Sequence, residues 1–111
     1  MEKNFTVADV KRKCIAYNLP DYMHNAIADY LVHGAETGEF LEAVLSNDLM
    51  GAAAKADTTN QNLLFRYARF LFNVFPVGSY GSRQAYINWI NQHNPQSKEN
   101  VDDSEYPIRE V

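Results

Sequence analysis

The chain has 111 residues and a mass of 12.7 kDa, which fits one domain and excludes architectures that set a cofactor domain beside a substrate domain. With 46% hydrophobic and 13% aromatic residues it can bury a core, since a chain of this size removes roughly two-thirds of its unfolded surface from water. The net charge of −4 is concentrated at one end: residues 98–111 hold Lys98 and Arg109 against Glu99, Asp102, Asp103, Glu105 and Glu110, a balance of −3, which leaves −1 for residues 1–97. A nearly neutral body lacks the phosphate-neutralising face that duplex nucleic acid requires, and Lys11-Arg12-Lys13 reads as a solvated helix face.

In chain order, Thr6 is the expected N-cap of a first helix from Val7 to Tyr17, with Asp9 three residues on completing a capping box. Leu19-Pro20-Asp21 breaks it, and Asp21 is the expected cap of a second helix whose stripe is Tyr22, Met23, Ala26, Ile27, Tyr30 and Leu31, ending at Gly34. Thr37 is the candidate cap of a third. Its stripe of Phe40, Leu41, Val44, Leu45, Leu49, Ala52, Ala53 and Ala56 predicts one helix from Gly38 to Ala56, against a competing stop-and-restart signal at Ser46-Asn47-Asp48.

Asp57-Thr58-Thr59-Asn60 opens a helix over 58–75 with Leu63, Leu64, Tyr67, Phe70, Leu71, Val74 and Phe75 on one face. Phe65 and Phe72, seven apart, form a second apolar stripe off that face, which puts the helix either at the centre of the core or in an oligomer interface; the expected outcome is a homo-oligomer, most simply a dimer. Pro76 ends this helix. After Val77-Gly78-Ser79-Tyr80-Gly81, Ser82 caps a last helix with Ala85, Tyr86, Trp89 and Ile90 inward, stopped by Asn94-Pro95. The expected fold is all-α: a compact bundle of five or six helices over residues 1–95, with a flexible or loosely docked acidic tail over 96–111. Ile27, Leu31, Leu41, Leu45, Leu64, Leu71 and Trp89 are its expected core.

The residues carry little catalytic chemistry. Cys14 is the only cysteine, so there is no internal disulfide and no CxxC metal clip, and a reducing cytoplasm is the expected setting. The N-terminus lacks the apolar stretch of a secretory signal, and the apolar run Leu63–Val77, interrupted by Arg66 and Arg69, is too short for a bilayer. His24 and His33, nine residues apart on one helix, point to opposite faces and cannot share a metal. Gly78-Ser79-Tyr80-Gly81-Ser82 is not a nucleophile elbow, and Cys14 reads as a small buried hydrophobe. The expectation is a non-enzymatic protein with no cofactor and no metal.

The stretch with a binding signature is the same loop. Glycines and serines lead into a helix N-terminus, where uncommitted N–H groups and the helix dipole favour an anion. Gly81, Ser82 and Arg83 would hold a phosphate, Arg66 and Arg69 would add guanidinium contacts, and Tyr80 would stack on a base. The bland alternative is a connecting turn with Ser82 as a plain cap and the arginines paired on the surface.

Leu19-Pro20-Asp21-Tyr22-Met23-His24, Gly34, the Phe40–Leu49 stretch, Ala56-Asp57 with Asn60, and Asn73-Val74-Phe75-Pro76 with Gly81-Ser82 and Trp89 stand in an order and spacing that resembles a group of small proteins of bacteriophages and prophages, over about residues 19–90. The resemblance implies a viral origin and a bacterial host cytoplasm, and it transfers no functional residue. Two readings follow for a small viral accessory protein acting by binding. One is a homo-oligomer that counteracts host defence by sequestering a nucleotide-like, phosphate-bearing signal. The other is an inhibitor that binds a host protein directly through the Phe65/Phe72 face.

Overall fold

A computed structural model describes residues 5–93, and the expected tail lies outside them. The described residues form seven helices and no strand. Helix α1 (Val7–Ala16) starts where its capping box requires: the Asp9 N–H donates to Thr6 Oγ1 at 3.1 Å, and the Thr6 N–H donates to the Asp9 carboxylate at 3.2 Å. The chain turns at Asn18, which takes the left-handed conformation (φ 56°) that Asn tolerates better than most residues. Helix α2 (Asp21–His33) is preceded by Pro20 as N-cap, so Asp21 sits inside the first turn and caps nothing with its side chain. Proline's φ already suits a helix entry, and the acid remains favourable against the helix dipole. At the other end Gly34 (φ 68°) lets its own N–H and that of Ala35 return to the Tyr30 and Asp29 carbonyls.

The expected 38–56 helix is two. Helix α3 (Glu39–Leu45) is capped by Gly38, because Thr37 is drawn instead to the Tyr86 hydroxyl, which accepts from the Thr37 N–H at 3.0 Å. Asn47 turns left-handed (φ 63°), and Asp48 restarts the chain as α4 (Leu49–Lys55) by accepting from the Gly51 N–H at 2.9 Å. The apolar stripe runs on across this break, which is why periodicity alone favours one helix. The expected 58–75 helix also divides. Asp57 caps a single turn, α5 (Thr58–Gln61), before a bend at Asn62-Leu63 and then α6 (Leu64–Val74). The buried Asn60 side chain accepts from the Tyr67 hydroxyl at 2.7 Å across that bend, fixing α5 against α6. Helix α7 (Arg83–His93) begins after Ser82, whose Oγ accepts from the Ala85 N–H.

Helix α1 packs on α2 and α3 on α4, while both α6 and α7 rest on α3. The core is aromatic at its centre. Tyr30 lies parallel to Tyr86 with centroids 5.4 Å apart and to Phe75 at 6.4 Å, and Phe70 meets both Phe75 and Tyr17 edge-on. Five of the seven expected core residues, Ile27, Leu31, Leu41, Leu45 and Leu71, are buried; Leu64 and Trp89 are only half-buried. Leu64 faces an open groove, and Trp89 lies at the rim with its indole N–H donating to the Tyr30 carbonyl at 2.9 Å.

Candidate functional site

Beside the turn that separates α3 from α4 lies an apolar groove of about 390 Å³. Helix α6 supplies one wall with Leu64, Ala68, Leu71 and Phe72; Val44, Leu49 and Ala52 supply another, and Tyr80 with Gly81 closes an end. Asp48 also lines it, with its carboxylate already engaged by the Gly51 N–H. Around this groove the surface stays apolar: Leu49 is 67%, Met50 78%, Phe65 79% and Phe72 77% exposed. Phe65, one heptad before Phe72, lies on the same side of α6. The core of the chain covers neither ring, so the second stripe legible in the sequence is a real surface feature.

The loop that forms the end wall is held from three sides. Ser79 is fully buried; its carbonyl accepts from the Tyr30 hydroxyl at 2.6 Å and its Oγ donates to the Pro76 carbonyl at 2.7 Å. Gly78 (φ 97°) and Gly81 (φ 113°) adopt backbone conformations that side chains disfavour, and the Gly81 N–H donates to the Leu45 carbonyl at 2.8 Å. That donor is therefore committed within the fold. Tyr80 is half-buried with its ring edge-on to Phe75.

The six residues expected to bind a phosphate and base do not form one site: Tyr80 and Gly81 stand together at the end of the groove, and the arginines are directed elsewhere. Ser82 is the plain cap of α7. Arg83 reaches across to α3 and pairs with the Glu42 carboxylate at 2.5 Å. Arg66 donates to the Asn18 carbonyl at 3.2 Å, in the α1–α2 turn. At about 100° per residue, Arg66 lies roughly 160° around α6 from Leu64 and Ala68, so it flanks the core stripe on the side away from the Tyr80–Arg83 loop. Arg69 is exposed between Phe65 and Phe72 and has no hydrogen bond or ion pair among the described residues. Arg83 instead borders a second, polar cleft of about 340 Å³ with Glu39, Glu42, Ser46 and Lys55, where Lys55 is paired to Glu39 at 3.2 Å.

Cys14 and His24 are engaged in the fold. Burial pushes the Cys14 thiol up to about 11, far from the reactive thiolate at neutral pH. His24 is buried with Nε2 2.9 Å from the Leu19 carbonyl. Among the described residues no cluster of His, Cys, Asp or Glu could hold a metal, and no helix is long and apolar enough to cross a membrane. The Tyr22 hydroxyl donates to Asp57 at 2.6 Å and, with the Asn60 N–H, holds that carboxyl below its ordinary range. Sequence reasoning missed the groove, and the signal that would have found it is the Ser46-Asn47-Asp48 restart, after which Leu49 and Met50 stand exposed. Comparison with protein-family models, with curated proteins and with solved structures gives no match.

Proposed function

We propose that this chain is a non-enzymatic accessory protein of a bacterial virus that counteracts host defence by binding a host protein through the α4–α6 groove and the adjoining Phe65/Phe72 face. The viral and host-cytoplasm setting rests on the resemblance over residues 19–90. The observation that carries the binding mode is the continuity of an apolar groove with two aromatic rings that the monomer leaves in water. Burying each ring in a partner is worth about 1.5–3 kcal/mol. Arg69 between them, without a carboxylate of its own, selects a partner segment that is apolar and carries Asp or Glu.

Sequestration of a nucleotide has less support, because Arg83 is neutralised by Glu42, the Gly81 N–H is committed to Leu45, and Arg66 is directed elsewhere. A homodimer through the same face competes poorly. A two-fold contact centred on Ala68 and Arg69 would bring Arg69 against its own copy.

The test is affinity capture of the tagged full-length protein from host cells, identification of the bound protein, and reconstitution with that protein purified. Phe65→Ser with Phe72→Ser should weaken the reconstituted complex at least tenfold, about 1.4 kcal/mol, while Arg66→Ala leaves it unchanged. An undiminished complex in the double variant, or calorimetric binding of a nucleotide abolished by Arg83→Ala, would overturn the reading.

A further inference from the structure

We propose that the segment Glu105-Tyr106-Pro107-Ile108-Arg109-Glu110 of this same chain docks into the α4–α6 groove, occupying in cis the surface that an outside partner engages. The inference rests on reading that groove as a docking surface.

Three observations select this occupant. After His93 the chain has a single run of apolar side chains, Tyr106-Pro107-Ile108, and that run is bracketed by Glu105 and Glu110. It therefore has the composition the groove selects, apolar side chains with carboxylates beside them. Charge is complementary as well. Residues 98–111 carry −3, and Arg69, exposed beside the groove between Phe65 and Phe72, has no hydrogen bond or ion pair among the described residues.

The third observation is reach. Helix α7 starts next to the Tyr80–Gly81 end wall and runs 11 residues to His93, a length of about 16 Å. Returning to the groove from His93 thus takes on the order of 20–25 Å. Tyr106 lies 13 positions beyond His93, and a connection of that length can span up to about 43 Å, so the segment can reach the groove. A segment of the same chain that can reach the groove binds it without the loss of translational freedom that a separate partner pays.

Disulfide trapping in the full-length chain tests this. Ala68→Cys with Ile108→Cys joins the groove wall to the segment, and Ile15→Cys with Ile108→Cys is the control, since Ile15 is exposed on α1 and Cys14 is buried. In a glutathione redox buffer the groove pair should close as an intramolecular disulfide at least tenfold more readily than the control. Binding of an apolar dye, 1-anilinonaphthalene-8-sulfonate, supplies a measurement without added cysteines. Tyr106→Ser with Ile108→Ser should raise it several-fold, and Phe72→Ser added to that variant should lower it again. Equal closure of the two pairs, linked dimers in place of the internal bond, or unchanged dye binding would overturn the proposal. Each of those failures leaves the host-partner reading to its own reconstitution experiment, and a failed reconstitution leaves the trapping result standing.

Discussion

Replacing Tyr30 with Phe removes one oxygen from the centre of the molecule and leaves the ring where it is. The Tyr30 hydroxyl donates to the Ser79 carbonyl at 2.6 Å, that carbonyl has no other donor among the described residues, and Ser79 is fully buried. The ring still stacks on Tyr86 and Phe75, so the variant opens almost no cavity and the loss is that of a buried acceptor left without a proton. Such a group costs about 1–3 kcal/mol. For a domain of this size the melting temperature should fall by roughly 4–8 °C per kcal/mol. Urea unfolding followed by circular dichroism should show a lower midpoint at unchanged slope. Amide exchange should rise at residues 78–81, because the same bond holds the end wall of the groove. A loss under about 0.3 kcal/mol, within the scatter of an ordinary surface substitution, would refute the claim that this bond anchors the loop.

The Asp57 carboxyl is held below its ordinary 3.8 by the Tyr22 hydroxyl and then by the Asn60 N–H, so its contribution to stability is present above pH 3.8 and is lost as pH falls through its lower folded value. Asp57→Asn should therefore be less stable than the parent at neutral pH, and the gap in urea midpoint should narrow below pH 3.8. The Cys14 thiol, raised from 9.0 to about 11 by burial, should resist a thiol reagent until the protein unfolds; its neutral form contributes stability that is complete below pH 9.0 and lost between 9.0 and about 11. Gly34→Ala should cost more than about 2 kcal/mol by chemical denaturation, because φ is +68° there and the added Cβ meets the Cβ of His93. A Gly34→Ala protein as stable as the parent would contradict that account.

Features set by neighbours in sequence were legible in advance. The Thr6–Asp9 box, the Gly34 helix stop and the Ser82 cap each depend on residues within about four positions, and each stands where local chemistry puts it. The breaks at Asn47 and Asn62 were harder to read because a single left-handed or bent residue leaves the spacing of the flanking apolar residues almost intact. That Phe65 and Phe72 share a face off the main stripe followed from helical geometry alone. The fate of the arginines did not: Arg83 finds Glu42 41 residues away and Arg66 finds Asn18 48 residues away, and only the packed fold makes those pairs neighbours.

The Tyr30 stack also sets a timetable for synthesis. Its backbone carbonyl is taken by Trp89, 59 residues later, and its ring is covered by Tyr86 from the same late helix. A ribosome adding about 5–20 residues per second leaves that aromatic surface without its cover for roughly 3–12 s after Tyr30 is made. Throughout that interval the emerging chain carries a sticky site where its interior will be. A chain that stops short of α7 lacks that cover altogether.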